Sequence, residues 1–179
     1  CRMKADIITV GTVLPSVTQL LTRELPAFGL SLSVHQQIES PDAPLREALP
    51  ESMRRSECVV VCTTQVEEAA QTLCAVLGLP MESEPPRNVT LFGDGNGFAA
   101  EKYGQLFLLL PAAPERLIPL IQQDLLPFLA ARSHGAFATH TVGVFGLSET
   151  AVVERLSDHM TGVNPALTFF ATEGGEILV

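Results

Sequence analysis

Polar groups that could handle a ligand gather at two points of the chain, each just after a short apolar run. Thr12 follows Gly11 at the end of Ala5-Asp6-Ile7-Ile8-Thr9-Val10, and Ser16 comes shortly after. Hydroxyls at a strand-to-helix turn can help hold an anion, because the free N–H groups and the dipole of a helix N-terminus favour negative charge. Their commoner work is helix capping. No Gly-x-Ser-x-Gly elbow accompanies Ser16 or Thr18, so neither reads as a nucleophile. Thr63, Thr64 and Gln65 end the second run, and Glu67 and Glu68 follow them. Neighbouring carboxylates can hold a divalent metal by oxygen ligation. Adjacent residues on a helix diverge by about 100°, however, and two solvated glutamates are the plainer reading.

The remaining reactive residues give weaker patterns. Gly93-Asp94-Gly95-Asn96-Gly97 lacks the Lys-Ser/Thr of a phosphate loop and the ligand series of a calcium loop, so it reads as a turn. His134, His140 and His159 match no zinc spacing, and His35 sits at a strand end; all four read as structural. Cys58 and Cys62 fall in one apolar run, where a strand would separate them by ~13 Å. That is too far for a disulfide, and the spacing is not Cys-x-x-Cys. They read as reduced core thiols.

Elements to position these groups follow from the apolar pattern. Short β-branched runs at 5–10, 30–35 and 58–62 alternate with helical spacing at 14–28, 45–55 and 67–77. Pro15 suits a first helical turn, and Gly29 and Gly78 suit C-terminal stops. This βαβαβα order predicts a mainly parallel sheet covered on both faces, joined by right-handed crossovers. Residues 81–88 form a loop and Val89 to Phe92 a short strand. Phe98 to Lys102 then pairs with Gln105 to Leu110 across Tyr103-Gly104. A long apolar helix over 115–131 is interrupted or kinked near Pro119 and Pro127. After a linker at Ser133-His134-Gly135 come a strand over 139–145, a helix over 149–160 capped by Ser148, and strands over 167–171 and 176–179. The expected domains are 3–132 and 136–179, a three-layer α/β/α unit followed by a small α+β (βαββ) unit. The final strand predicts that the natural protein continues, and Met3-Lys4 reads as its natural start.

The 179 residues are 46% hydrophobic, which allows a sizeable core. With no Trp and one Tyr, the nine Phe are its large fillers. A net charge of -9 repels phosphate backbones and excludes general nucleic-acid binding. A small anionic nucleotide stays compatible if backbone N–H groups take its phosphates. No apolar run is long enough for a membrane span and no signal-peptide core is present, so a cytoplasmic protein is expected.

Three segments carry a resemblance to the N-terminal part of the CinA (competence/damage-inducible protein A) family. Met3-Lys4-Ala5-Asp6-Ile7-Ile8-Thr9-Val10-Gly11-Thr12 resembles its opening strand and turn. Leu108-Leu109-Leu110-Pro111-Ala112-Ala113-Pro114 is similar to its Leu-Pro-Gly-x-Pro segment. The stretch from Val144-Phe145-Gly146 through Ser148-Glu149 to Leu156 is similar to its Phe-Gly-x-x-Glu-Ser strand-to-helix turn, the most specific of the three. The resemblance covers essentially the whole chain and implies a MoaB/MogA-like, molybdopterin-binding-type domain. It also implies relatives that handle nucleotides or pterins, some hydrolysing dinucleotide pyrophosphate bonds, and a homodimer.

The departures fall on the loops that carry that chemistry. Val13 stands where the family has an acidic residue, and Pro15-Ser16-Val17 replaces its Asn-Thr-Asn in a shortened loop. Thr63-Thr64-Gln65 runs straight into Glu67 and Glu68 where the family has a glycine-rich turn and two Asp. Ala112 and Arg116 replace the Gly and Glu of the third segment. Glycine lets backbone N–H groups approach a ligand closely, and Cβ atoms close that approach. The expectation is a non-catalytic scaffold, oligomerisation or regulatory module. Its alternatives are a divergent metal-dependent nucleotide pyrophosphatase using Glu67, Glu68 and Asp94, which would need a divalent metal, and a non-hydrolytic binder of a small nucleotide or pterin. Ligand contacts are expected at Gly11, Thr12, Ser16, Thr63, Thr64, Gln65 and Pro111, the rim outside the strand C-termini.

Overall fold

The computed structural model describes residues 3–80, 87–132, 143–144, 146–160, 170–171 and 177–178. It divides into two compact units, residues 1–137 and 138–179.

In the first unit, β1 (Met3–Val10), β2 (Leu30–Ile38), β3 (Cys58–Thr63), β4 (Val89–Phe92), β5 (Gly97–Lys102) and β6 (Gln105–Pro111) form one sheet in the order β2-β1-β3-β6-β5-β4. The first four strands of that order are parallel, and β5 and β4 add an antiparallel edge. All six residues of β3 are buried, as expected of a central strand covered on both sides.

Alternation along the strands sorts the core into two halves. Ile7, Val60, Cys62, Leu108 and Leu110 pack with Val17, Leu21 and Leu25 of α1 (Pro15–Ala27). The same half includes Leu117 of α4 (Pro114–Leu120) and Leu129 of α5 (Leu126–Arg132). Ile8, Val10, Val59, Val61, Phe107 and Leu109 pack on the other face with α2 (Ala43–Arg55) and α3 (Val66–Leu77). The result is the three-layer α/β/α arrangement that the βαβαβα pattern predicts.

One element differs from the sequence reading, and one is sharpened. β2 runs on to Ile38, through polar His35-Gln36-Gln37, because β1 offers a parallel ladder as far as Val10. The long fourth helix is interrupted between its prolines, by a π-helical turn at Ile121–Leu125. Pro119 and Pro127 each lack an N–H for the i→i−4 ladder, and the wider turn between them absorbs the mismatch.

In the second unit, β7 (Gly143–Val144), α6 (Glu149–Met160), β8 (Phe170–Ala171) and β9 (Ile177–Leu178) are described, with an antiparallel sheet in the order β7-β9-β8. Ser148 caps α6 as expected, its Oγ accepting from the Ala151 N–H at 3.3 Å. The remainder of the strands expected over 139–145, 167–171 and 176–179 lies outside the described residues, as do His134 and His140.

Candidate functional site

Parallel pairing of β1, β3 and β6 brings three strand ends side by side. Val10 aligns with Thr63, and Thr63 with Pro111, so the turns into α1, α3 and α4 share one rim. The turn at Gly93–Gly95 joins the same rim, because β5 runs antiparallel to β6 and pairs Phe98 with Leu109.

The expected ligand residues divide into buried and exposed sets. Thr63 and Pro111 are buried beneath the rim. The Thr63 hydroxyl accepts from the Gln65 N–H at 2.9 Å, and its carbonyl accepts from the Ala112 N–H at 2.8 Å. Gly11 is half-buried at φ +75°, a left-handed conformation that favours glycine. Its N–H donates to the Ile38 carbonyl at 2.8 Å, and its own carbonyl accepts from Gln37 Nε2 at 3.1 Å. Gln65 reaches across from the next turn: its Oε1 lies 3.8 Å from where a Cβ on Gly11 would stand. Thr12, Ser16 and Thr64 are exposed. Neither Thr12 nor Ser16 caps α1; its N-cap is Leu14, 55% exposed, with no side-chain hydrogen bond. The α3 N-cap, Gln65, likewise has none.

Glu67 and Glu68 are both exposed in the first turn of α3, where they complement the helix dipole. Among the described residues no group of three His, Cys, Asp or Glu side chains could hold a metal. The Asp94 side chain and that of His159 lie outside the described atoms. His35 Nε2 lies 3.1 Å from Thr9 Oγ1. Burial pushes the Cys58 and Cys62 thiols up to about 12, so they are neutral, unreactive fillers.

Sequence reasoning missed two features. An open depression of about 490 Å³ is lined by Gly11 and Thr12 together with Gln37, Ile38 and Glu39. Ending β2 at His35 hid the last three, because the polar Gln36-Gln37 pair gives no strand signal of its own. The carboxylate of Asp124 accepts from the Gly93 N–H at 3.0 Å and fastens the glycine-rich turn to the π-helical segment. Together with the hydrogen bond from Asn96 Nδ2 to the Gly93 carbonyl, this makes the turn a built corner.

This topology defines an α/β domain with the fold of the MoaB and CinA proteins. The structure of CinA from Thermoplasma acidophilum superposes with a TM-score of 0.56 at 13% identity, covering 68% of this chain and 95% of that one. A molybdenum cofactor biosynthesis protein B structure gives 0.55 at 12% identity, covering 73% and 93%.

Along 96% of its length the chain is a homologue of CinA-like, competence-damage inducible proteins. It is 27% identical to a CinA-like protein of Desulfovibrio desulfuricans over 211 residues, covering 96% of the chain and 50% of that protein. It is 24% identical over 213 residues to a protein of Caldanaerobacter subterraneus described as competence-damage inducible, covering 52% of it. The chain thus spans about half the length of the curated relatives it matches. Both matched stretches exceed the 179 residues of the chain, so the relatives carry insertions that it lacks. No protein-family model matches. Among the described residues no helix is long and apolar enough to cross a membrane.

Proposed function

We propose that this chain is a non-catalytic CinA-like module, a scaffold that serves assembly or the regulation of attached domains. The observation that carries this reading is the make-up of the rim beside its open depression. Gln65 stands over Gly11, the Thr63 hydroxyl is spent within its own turn, and Pro111 and Ala112 are buried where a cradle of free N–H groups would lie. Glu67 and Glu68 add exposed negative charge at the edge of that rim, which disfavours a phosphate.

One observation favours a second reading, a non-hydrolytic binder of a small nucleotide or pterin. The N-termini of α1 and α3 both open on the rim without side-chain caps; α1 begins with Pro15 and bonds its Val17 N–H to the Leu14 carbonyl, so it is mainly α3 that can offer N–H groups to an anion. A divergent metal-dependent pyrophosphatase is the third reading, and it rests on Glu67 and Glu68. The test is incubation with ADP-ribose and a divalent metal, following thermal shift and turnover together. The scaffold reading expects neither response. A ligand-dependent shift without turnover selects the binder, and turnover lost in Glu67→Ala selects the enzyme.

A further inference from the structure

Of the three helices α1, α2 and α3, α2 has the least apolar attachment. α1 buries Val17, Leu21 and Leu25, and α3 buries Ala69, Thr72, Leu73 and Leu77; α2 buries only Leu45, Leu49 and Ser52. Pro50 lies inside α2 and has no N–H to give the Arg46 carbonyl, so the helix lacks one rung of its own ladder.

Polar links replace the missing apolar ones. Arg55, in the last turn, donates from Nε to Asp6 Oδ2 at 2.5 Å and from Nη1 to Glu51 Oε1 at 2.9 Å. Gln105 Nε2 donates to the Met53 and Ser56 carbonyls, each at 2.6 Å. Asp6 is fully buried in β1, and its Oδ1 has no hydrogen-bond partner. Its charge is therefore balanced at one oxygen by a guanidinium whose side chain is 30% exposed. A buried pair of this kind stabilises only while both members stay in place.

We infer that α2 is a release element: it opens as a local unit ahead of the rest of the sheet, with the Asp6–Arg55 pair as its latch. Local units of low stability are those with few buried apolar contacts, and α2 fits that description while β1 and β3, on which it rests, do not. The inference is independent of whether the rim binds a ligand.

Hydrogen exchange on the intact chain, read by mass spectrometry, tests it. In the wild type, amides of 45–55 should exchange about 100-fold faster than those of α3 and β3 after correction for intrinsic rates. Arg55→Lys, which keeps the charge and loses the fork, should speed α2 exchange about tenfold further and leave β3 unchanged. Pro50→Ala restores the missing donor and should slow α2 exchange about tenfold. Uniform exchange across α2, α3 and β3 in the wild type overturns the inference. So does an Arg55→Lys variant that accelerates every segment equally. Should Arg55→Lys fail to fold, Pro50→Ala still decides the matter, because an unchanged α2 rate in that variant also overturns the inference.

Discussion

Replacing Gly97 by Ala should destabilise the protein, against the usual direction of such a change. Gly97 opens β5 opposite Phe92 and next to β6. Its φ is not positive, so alanine can adopt the backbone, and a smaller set of unfolded conformations would stabilise by ~0.4–1 kcal/mol. The added Cβ would stand 2.4 Å from the Leu109 carbonyl oxygen and 3.3 Å from Leu120 Cδ1. The first contact decides the sign, because Leu109 is a buried residue of a central strand paired with Val61 and Phe98. Overpacking of this kind costs ~1–3 kcal/mol, which leaves a net loss of about 1–2 kcal/mol. At this chain length that corresponds to a Tm lowered by ~2–8 °C, read by circular dichroism. Trimming Leu120 in the double variant Gly97→Ala/Leu120→Val should not rescue it, since the clash is with backbone. An unchanged or raised Tm in Gly97→Ala, or recovery in the double variant, would refute the reasoning.

Three further outcomes follow from named contacts. Cys58 and Cys62 ionise at about 12 when folded against 9.0 in the open chain, so the unfolded state loses their protons first. Their stabilisation is complete below pH 9.0 and is lost as pH rises toward 12, at ~1.4 kcal/mol per pH unit for each thiol. Urea melts between pH 8 and 11 should show this slope, and Cys58→Ala/Cys62→Ala should flatten it. Asp124→Ala removes the acceptor of the Gly93 N–H and should cost ~1–2 kcal/mol, with faster amide exchange confined to the Gly93–Gly95 turn. Arg132→Ala loses both the ion pair with Glu101 and the stacking over Phe128 at 4.9 Å, for about 1 kcal/mol in thermal denaturation.

Period and punctuation made most of the first unit legible. β3 announced itself by an unbroken apolar run, and the β5–β6 hairpin by two residues between two apolar segments. Tyr103 at φ +55° and Gly104 at φ +76° form the two-residue left-handed turn that such a hairpin needs. What stayed illegible depended on partners distant in sequence. β2 reaches Ile38 because β1 lies beside it, a fact no local alternation records. The interruption expected near Pro119 and Pro127 takes the form of one π-helical turn at Ile121–Leu125, a form that the prolines alone do not specify. Asp124 meets the Gly93 turn 31 residues away in sequence, a contact that no local pattern marks.

The site was legible as a place more than as a set of contacts. Strand ends outside a parallel sheet form the rim in any such fold, so Gly11, Thr63, Gln65 and Pro111 were bound to meet there. Whether each presents a group to solvent depends on hydrogen bonds across turns. Thr63 spends its hydroxyl on Gln65, and Gln37 arrives from the neighbouring strand to hold Gly11. Neither bond has a signature in residue type or spacing.

Phosphorus NMR of ADP-ribose, held with magnesium and a micromolar amount of this protein, tests the absence of catalysis most directly. The spectrum should stay that of the intact pyrophosphate for hours, indistinguishable from a protein-free sample. Growth of two phosphomonoester signals, abolished by Glu67→Ala, would contradict the non-catalytic reading.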